Sequence, residues 1–148
     1  MWYVNNNGNV VSGAEPSIVS GSRAFLYGDG VFESVRIIHG KPINLNAHIQ
    51  RLFKGAEMLK IRIPSYLTVD VFHEKIMELI SRNTVKAGGK CRISIDRIAG
   101  GTYKPTSNEA TYFIEVWPMD ENDFLLNYKG IEVDVYKDIK IYLNSKGG

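Results

Sequence analysis

Two stretches in the middle of the chain repeat their apolar residues with the period of an α-helix. One apolar stripe covers residues 49–59, and a second covers residues 69–80. Asn46 and Thr68 are the predicted N-caps, Pro64 separates the two segments, and the second helix should end near Asn83. The pattern therefore predicts two consecutive amphipathic helices that bury their stripes against one sheet.

The segments on either side of the helices carry the pattern of β-strands. Residues 31–38 have apolar side chains on both alternating sets, which is typical of a strand that packs on both faces. Short apolar runs at residues 2–4 and 10–11 flank an Asn- and Gly-rich turn and predict a hairpin. Further strands are predicted at residues 90–98, 111–117 and 131–136.

The remaining segments connect these elements. Residues 12–22 are rich in Ser and Gly and predict a loop, and residues 43–45 are expected to return as a hairpin partner of the strand at residues 31–38. The order of strands, two helices and strands predicts an α+β fold, in which two helices pack on a mostly antiparallel sheet.

The composition restricts the class of protein but does not indicate a specific function. The chain has 148 residues, 44% hydrophobic and 23% charged, and a formal net charge of +2. These values fit an ordinary globular protein and do not indicate a nucleic-acid-binding surface. No apolar run reaches membrane-spanning length, and the N-terminal residues do not resemble a signal peptide, so a cytoplasmic protein is expected. The single Cys91 cannot form an internal disulfide and is interpreted as a buried thiol.

Common catalytic motifs are missing from the sequence. The Gly28-Asp-Gly30 turn is not a dinucleotide fingerprint, because Glu33 stands where a third glycine is needed. There is no phosphate-binding loop ending in Gly-Lys-Ser/Thr and no Gly-x-Ser-x-Gly elbow, although other serine triads stay open. The three histidines lie in different elements and no cysteine or carboxylate pattern joins them, so no metal site is predicted.

One long constellation does resemble a known family. Residues 25–36 read Phe-Leu-Tyr-Gly-Asp-Gly-Val-Phe-Glu-Ser-Val-Arg, residues 39–45 read His-Gly-Lys-Pro-Ile-Asn-Leu, and residues 48–52 read His-Ile-Gln-Arg-Leu. Together they resemble the signature of class IV pyridoxal-phosphate enzymes, the group of branched-chain and D-amino-acid aminotransferases and aminodeoxychorismate lyase. Residues 97–105 also resemble the Arg-Gly-Gly-Tyr-Pro loop of the lyase-like members.

The resemblance implies a domain organisation and a set of partners. Residues 1–120 would form the N-terminal α+β domain of that fold, and residues 121–148 the linker and first strand of a truncated second domain. The cofactor would be pyridoxal 5'-phosphate, and the substrate an amino acid, a 2-oxo acid or a chorismate-derived amine. The parent enzyme would be a homodimer, with no nucleic-acid or membrane partner.

The resemblance also assigns roles to individual residues. Arg51 would hold the cofactor phosphate, since a guanidinium matches a phosphate with two parallel hydrogen bonds; the alternative is a surface ion pair. Tyr27 and Phe32 would line the substrate side of the pocket, unless they are plain core aromatics. Arg36 would be a polar handle in that pocket. Arg97 would help bind a substrate carboxylate, or else form a strand-end ion pair with Asp96 or a neighbour. For the motif's His48 a structural hydrogen bond is expected.

The resemblance identifies no catalytic residue in this sequence. In the family a lysine of the second domain bonds covalently to the cofactor and moves the proton. Lys146 is near the expected place, but a lysine at a frayed terminus lacks the desolvated pocket that activates it. Two hypotheses follow. The chain is the substrate-side part of an aminotransferase or lyase, inactive alone, or it is a non-enzymatic α+β binding domain.

Overall fold

The computed structural model describes residues 2–14, 21–120 and 128–134. Along the chain these residues form a hairpin, a short helix, a long strand with a two-residue partner, two longer helices and two further long strands. The elements are β1 Tyr3–Asn6, β2 Asn9–Ser12, α1 Arg23–Tyr27, β3 Gly30–Ile38, β4 Lys41–Pro42, α2 Leu45–Met58, α3 Val69–Arg82, β5 Gly88–Arg97 and β6 Ala110–Met119.

A single six-stranded sheet organises these elements. Its strand order is β2-β1-β6-β5-β3-β4, and every neighbouring pair is antiparallel. The centre is β5, which pairs with β6 from Gly88↔Met119 to Arg97↔Ala110 and with β3 from Gly30↔Asp96 to Ile37↔Gly89. Among the described residues, β3 has no strand partner along its other edge from Gly30 to Val35.

The core lies between one face of the sheet and the helices α2 and α3. Both helices direct their predicted apolar stripes inward, because residues three or four apart lie on one helix face. The exception is Leu59, which is the C-cap of α2 and is 38% exposed. Each fully buried aliphatic or aromatic side chain contributes about 1.5–3 kcal/mol to stability. The largest fully buried side chains include Ile49, Leu52, Phe72, Ile76, Leu79, Ile37, Ile93, Ile95 and Ile114.

The predicted α+β class is confirmed, and so are both amphipathic helices, the N-terminal hairpin and the strands at residues 31–38, 90–98 and 111–117. Thr68 caps α3, since its side chain accepts a hydrogen bond from the Val71 N–H, and Asn83 is the C-cap. The buried Cys91 is confirmed as well, and burial raises the pKa of its thiol.

Other boundaries were predicted wrongly. Asn46 lies inside α2, whose N-cap is Asn44 in the left-handed conformation with φ of 52°. Leu45 therefore begins a helix, and the strand that returns along β3 is Lys41–Pro42. Of the predicted partner residues, Ile43 donates one backbone hydrogen bond to the Arg36 carbonyl.

Two short segments also differ from their prediction. The five-residue α1 was not predicted, because one helical turn is too short to display a period. In the predicted strand at residues 131–136, residues 131–134 are not in a strand, and 135–136 lie outside the described residues.

None of the described helices is long and apolar enough to cross a membrane. The domain boundary after residue 120 stays a prediction, and Lys146 lies outside the described residues.

Candidate functional site

Strand β3 distributes the signature residues over the two faces of the sheet. Side chains alternate along a strand, so Glu33, Val35 and Ile37 point toward the helices and are buried. Phe32 and Arg36 lie on the opposite face, which we call the open face because α2 and α3 do not cover it. One strand thus carries the two halves of the candidate site on opposite sides.

On the helix side, Glu33 binds two bases from the first half of α2. Arg51 donates from Nε to Oε1 at 2.6 Å and from Nη2 to Oε2 at 2.5 Å. His48 Nδ1 lies 2.8 Å from Oε2 and 3.1 Å from Arg51 Nη2. The two bases meet one carboxylate because residues three apart lie on the same side of a helix. We call Glu33, His48 and Arg51 the Glu33 cluster.

The hydrogen bonds of the Glu33 cluster determine the ionisation states of Glu33 and Arg51. Hydrogen bonding from Arg51 lowers the pKa of Glu33 and outweighs burial, which acts in the opposite direction, while His48 adds to the lowering. The same contact with Glu33 raises the pKa of Arg51. Glu33 and Arg51 are therefore both ionised at neutral pH.

Arg51 keeps donor capacity in spite of this ion pair. Its side chain is 65% exposed, and Nη1 makes no hydrogen bond to any of the described residues. The carboxylate holds one edge of the guanidinium fork and fixes its plane, and the opposite edge faces solvent. This is the arrangement that a phosphate ester requires, so the residues present fit the phosphate end of the predicted cofactor.

A second carboxylate of the signature also holds two bases. Asp29 Oδ2 accepts from Arg23 Nε at 2.7 Å and from Arg97 Nε at 2.9 Å. Here both arginines are buried, with only 4% and 6% of their side chains exposed. Burial would raise the pKa of Asp29, but the hydrogen bonds from Arg97 and Arg23 outweigh it and lower that pKa. We call Asp29, Arg23 and Arg97 the Asp29 cluster.

The remaining donors of Arg97 are used inside the fold. Nη2 donates to the Leu59 carbonyl at 2.6 Å, and Nη1 donates to the Lys60 carbonyl and to Asn108 Oδ1. These contacts favour the structural alternative for Arg97, with Asp29 rather than Asp96 as its ion-pair partner. The role of Arg97 in binding a substrate carboxylate stays a prediction.

The other predicted substrate residues are accessible. Tyr27 ends α1, is 45% exposed and lies under the Arg23 guanidinium at 4.9 Å from the ring centroid. Phe32 is 56% exposed on the open face, where the Arg92 guanidinium lies 4.0 Å from its ring centroid. Arg36 reaches Met119 Sδ from the same face. The structure thus brings Phe32 and Arg36 to one face, and Arg51 to the other side of β3.

Glu33 was quoted in the motif without a role, although the sequence held a signal for it. It shares one strand face with Val31 and Val35, and a carboxylate on such an apolar face needs a basic partner. Asp29 and Arg23 had no such signal, because their contacts depend on the fold. Among the described residues no group of His, Cys, Asp and Glu could hold a metal ion.

Comparison with known proteins decides the family. The sequence profile of the family described as amino-transferase class IV matches residues 30–136. The chain belongs to the class IV aminotransferase family. The D-alanine aminotransferase of Listeria monocytogenes is 29% identical over 82 residues, and that of Staphylococcus aureus is 27% identical over 82 residues. Each alignment covers 55% of this chain and 28% of the relative, so this class IV chain matches less than a third of the relatives' length.

Solved structures show the same fold as this class IV chain. The branched-chain aminotransferase of Thermoproteus uzoniensis, solved with norvaline, is 21% identical with a TM-score of 0.72, covering 81% of this chain and 41% of that one. The branched-chain enzyme of Escherichia coli is 24% identical with a TM-score of 0.67, covering 79% and 41%. A hypothetical aminotransferase from Mycobacterium tuberculosis in its PLP-bound form is 21% identical with a TM-score of 0.63, covering 78% and 39%.

Proposed function

We propose that this chain is the substrate-side part of a pyridoxal-phosphate enzyme that transfers an amino group between an amino acid and a 2-oxo acid. The observation that carries the proposal is the Glu33 cluster, in which a family-signature arginine is fixed on one edge and open on the other. The matched relatives are named as aminotransferases, and one structural neighbour was solved with the cofactor bound.

Arg51 would hold the phosphate of the cofactor, and Glu33 would keep its guanidinium in one plane. The edge of β3 from Gly30 to Val35, which no described strand pairs with, separates Arg51 from Phe32, so a ligand that crosses this edge can touch both faces of the strand. Pyridoxal phosphate, when bound, supplies the electron sink for reactions at the amino-acid α-carbon. Phe32, Tyr27 and Arg36 would contact the substrate. For Arg97 the contacts with Asp29, Asn108 and the end of α2 favour a structural role over binding of the substrate carboxylate.

No described residue is assigned the proton transfer at the α-carbon. We expect the lysine that performs it outside the described residues, and we propose a homodimer as the active form. A lyase that releases pyruvate from aminodeoxychorismate is the second candidate. The Gly100–Gly101 loop favours it, because the sequence around this loop resembles the lyase-like members. Arg23 holds this loop by donating to the carbonyls of Gly100 and Thr102.

The first test is cofactor binding by the full-length protein. Titration with pyridoxal phosphate should produce a visible absorbance band, and Arg51→Gln should weaken binding about 100-fold, since charge-assisted hydrogen bonds to the phosphate are lost. Arg62→Gln is the matched control, because Arg62 is 70% exposed and is also paired with a glutamate at 2.5 Å. Equal affinities for the two variants would remove Arg51 from the phosphate site.

Product analysis then separates the activities. Formation of a new 2-oxo acid from an amino donor supports the transferase, whereas pyruvate released from aminodeoxychorismate without an amino acceptor supports the lyase. A full-length protein that stays colourless with added cofactor supports the non-enzymatic binding domain instead.

A further inference from the structure

The open face of the sheet carries a groove of about 890 Å³ that the Glu33 cluster does not reach. Strand β5 contributes Arg92, Ser94 and Asp96 to it. Aromatic side chains form its apolar walls, namely Phe25 from α1 and Phe113 from β6. The groove therefore combines apolar surface with charged groups, as small-molecule sites do.

Asp96 is the distinctive group in this groove. Its carboxylate makes no hydrogen bond and no ion pair with the described residues, although the side chain is partly buried. It is packed directly over Gly30, where an ideal Cβ would lie 2.1 Å from Asp96 Oδ1. Partly buried carboxylates normally have partners, as Asp29 does with two arginines. The glycine thus makes room for Asp96, whose carboxylate has no hydrogen-bond or ion-pair partner among residues 2–14, 21–120 and 128–134.

The charged residues near Asp96 form no ion pair with it within the described part of the chain. Arg92 lies on the same face but sits over the Phe32 ring, and it forms no ion pair with Asp96 within the described residues. Glu115 stands opposite Arg92 on β6 and is a second carboxylate of the groove. Lys90 lies over the Trp117 ring, and the strand rises about 20 Å over the six residue steps from Lys90 to Asp96. Arg97 also lines the groove, but its donors bind Asp29, Asn108 and two backbone carbonyls, so neither arginine of the groove pairs with Asp96 within the described residues.

We propose that this groove binds a primary ammonium group carried on an apolar chain, with the ammonium on Asp96 and the chain against Phe25 and Phe113. The carboxylate supplies a charge-assisted hydrogen bond, and the aromatic walls remove apolar surface from water. The site requires no bound cofactor, so it exists whether or not the proposed amino transfer is confirmed.

Two probes of equal shape test the proposal. Pentylamine and 1-pentanol share the apolar chain and differ in the ammonium, and Trp2, which also lines the groove, reports binding by its fluorescence. At about pH 7.5 the full chain should bind pentylamine about tenfold more tightly than pentanol, and Asp96→Asn should bring this ratio close to one. Asparagine has the shape of aspartate and no hydrogen bond is lost, so an unchanged thermal midpoint shows that the variant is folded.

Glu57→Gln is the matched control, because it removes one exposed carboxylate from α2, on the other side of the sheet. It should retain the tenfold ratio. A wild-type ratio near one overturns the proposal, and so does an Asp96→Asn variant that keeps the preference. If Glu115→Gln abolishes the preference while Asp96→Asn keeps it, the assignment to Asp96 is wrong.

The pH dependence of pentylamine binding provides an independent test of the proposal. Burial raises the pKa of Asp96 to about 6; Arg92 acts against this shift and Asp29 adds to it. Burial likewise raises the pKa of Glu115, the other carboxylate facing Arg92. An alkylamine stays charged well above pH 7, as lysine does at a pKa of about 10.4. Pentylamine affinity should therefore fall several-fold from about pH 7.5 to pH 5, and pentanol affinity should not. Parallel curves for both probes would contradict the proposal.

Discussion

The Asp29 cluster and the Glu33 cluster share one arrangement and differ in composition and burial, since His48 stands in the Glu33 cluster where the Asp29 cluster has a second arginine. Each places a signature carboxylate between two bases, with contacts of 2.5–2.9 Å. In the Asp29 cluster the arginine side chains are 4% and 6% exposed, whereas Arg51 is 65% exposed. The other N–H donors of Arg97 bind groups of the protein, whereas the outer edge of the Arg51 guanidinium faces solvent.

Exposure of the guanidinium distinguishes the structural Arg97 from Arg51, which we propose as a ligand-binding residue, whereas the ion pair is common to both. A buried guanidinium must have its donors satisfied internally, because an unpaired buried charge is strongly destabilising. An exposed guanidinium held along one edge loses little free energy when its other edge faces water, and it can exchange that water for a phosphate. Sequence motifs identify both arginines, and only the contacts tell them apart.

The largest expected effect comes from Arg97→Ala. Removal of this side chain leaves Asp29, two backbone carbonyls and Asn108 without a shared donor in a buried place. We expect the free energy of unfolding to fall by about 3–5 kcal/mol, as when one partner of a buried ion pair is removed. Urea denaturation measures it, with Arg62→Ala as the exposed control. A loss no greater than that of Arg62→Ala would place Arg97 among the surface arginines.

Neutralising the Asp29 or the Glu33 carboxylate should have an intermediate effect on the free energy of unfolding. Asp29→Asn leaves two buried guanidinium groups without a counter-charge and should cost about 3 kcal/mol. Glu33→Gln should cost only about 1 kcal/mol, since Arg51 can turn into water. The two midpoints can be measured in one denaturation series. Equal losses would mean that exposure of the arginine does not distinguish the clusters.

The smallest expected effect is acid sensitivity. The pKa values of Asp29 and Glu33 lie below their ordinary values of 3.8 and 4.5, so both contribute stability that is complete above those values and is lost as the pH falls below them. Asp96, with its pKa raised to about 6, acts in the opposite direction between about pH 6 and pH 4. Denaturation midpoints should therefore decline mainly below about pH 4.5. The decline should be shallower in Asp29→Asn, and an identical slope would exclude Asp29 as a source.

The sequence predicted the features that repeat locally and missed those that depend on topology. The stripes of α2 and α3 and the alternation of β3 were visible, because each element buries one face or both. The N-cap of α2 was misplaced by two residues, because Asn44 and Asn46 are equally good capping residues by type. Arg51 was found only through the family signature.

The partner of Arg97 could not have been predicted from spacing. Asp29 is 68 residues away along the chain, and the two meet only because β3 and β5 pair with Gly30 opposite Asp96. Asp96, the nearer carboxylate in sequence, lies on the open face instead. Adjacent strand residues point to opposite faces, so proximity along a strand argued for the wrong partner.

The order of the strands also has a consequence for the way the chain is made. The first strand, β1, pairs on one side with its hairpin neighbour β2 and on the other with β6, through partners such as Val4↔Glu115. A ribosome releases the N-terminal hairpin long before it synthesises residue 115, and an isolated hairpin is only marginally stable in water. The pairing of β1 with β6 must then close a loop of more than a hundred residues, which makes this pairing the natural slow step of folding.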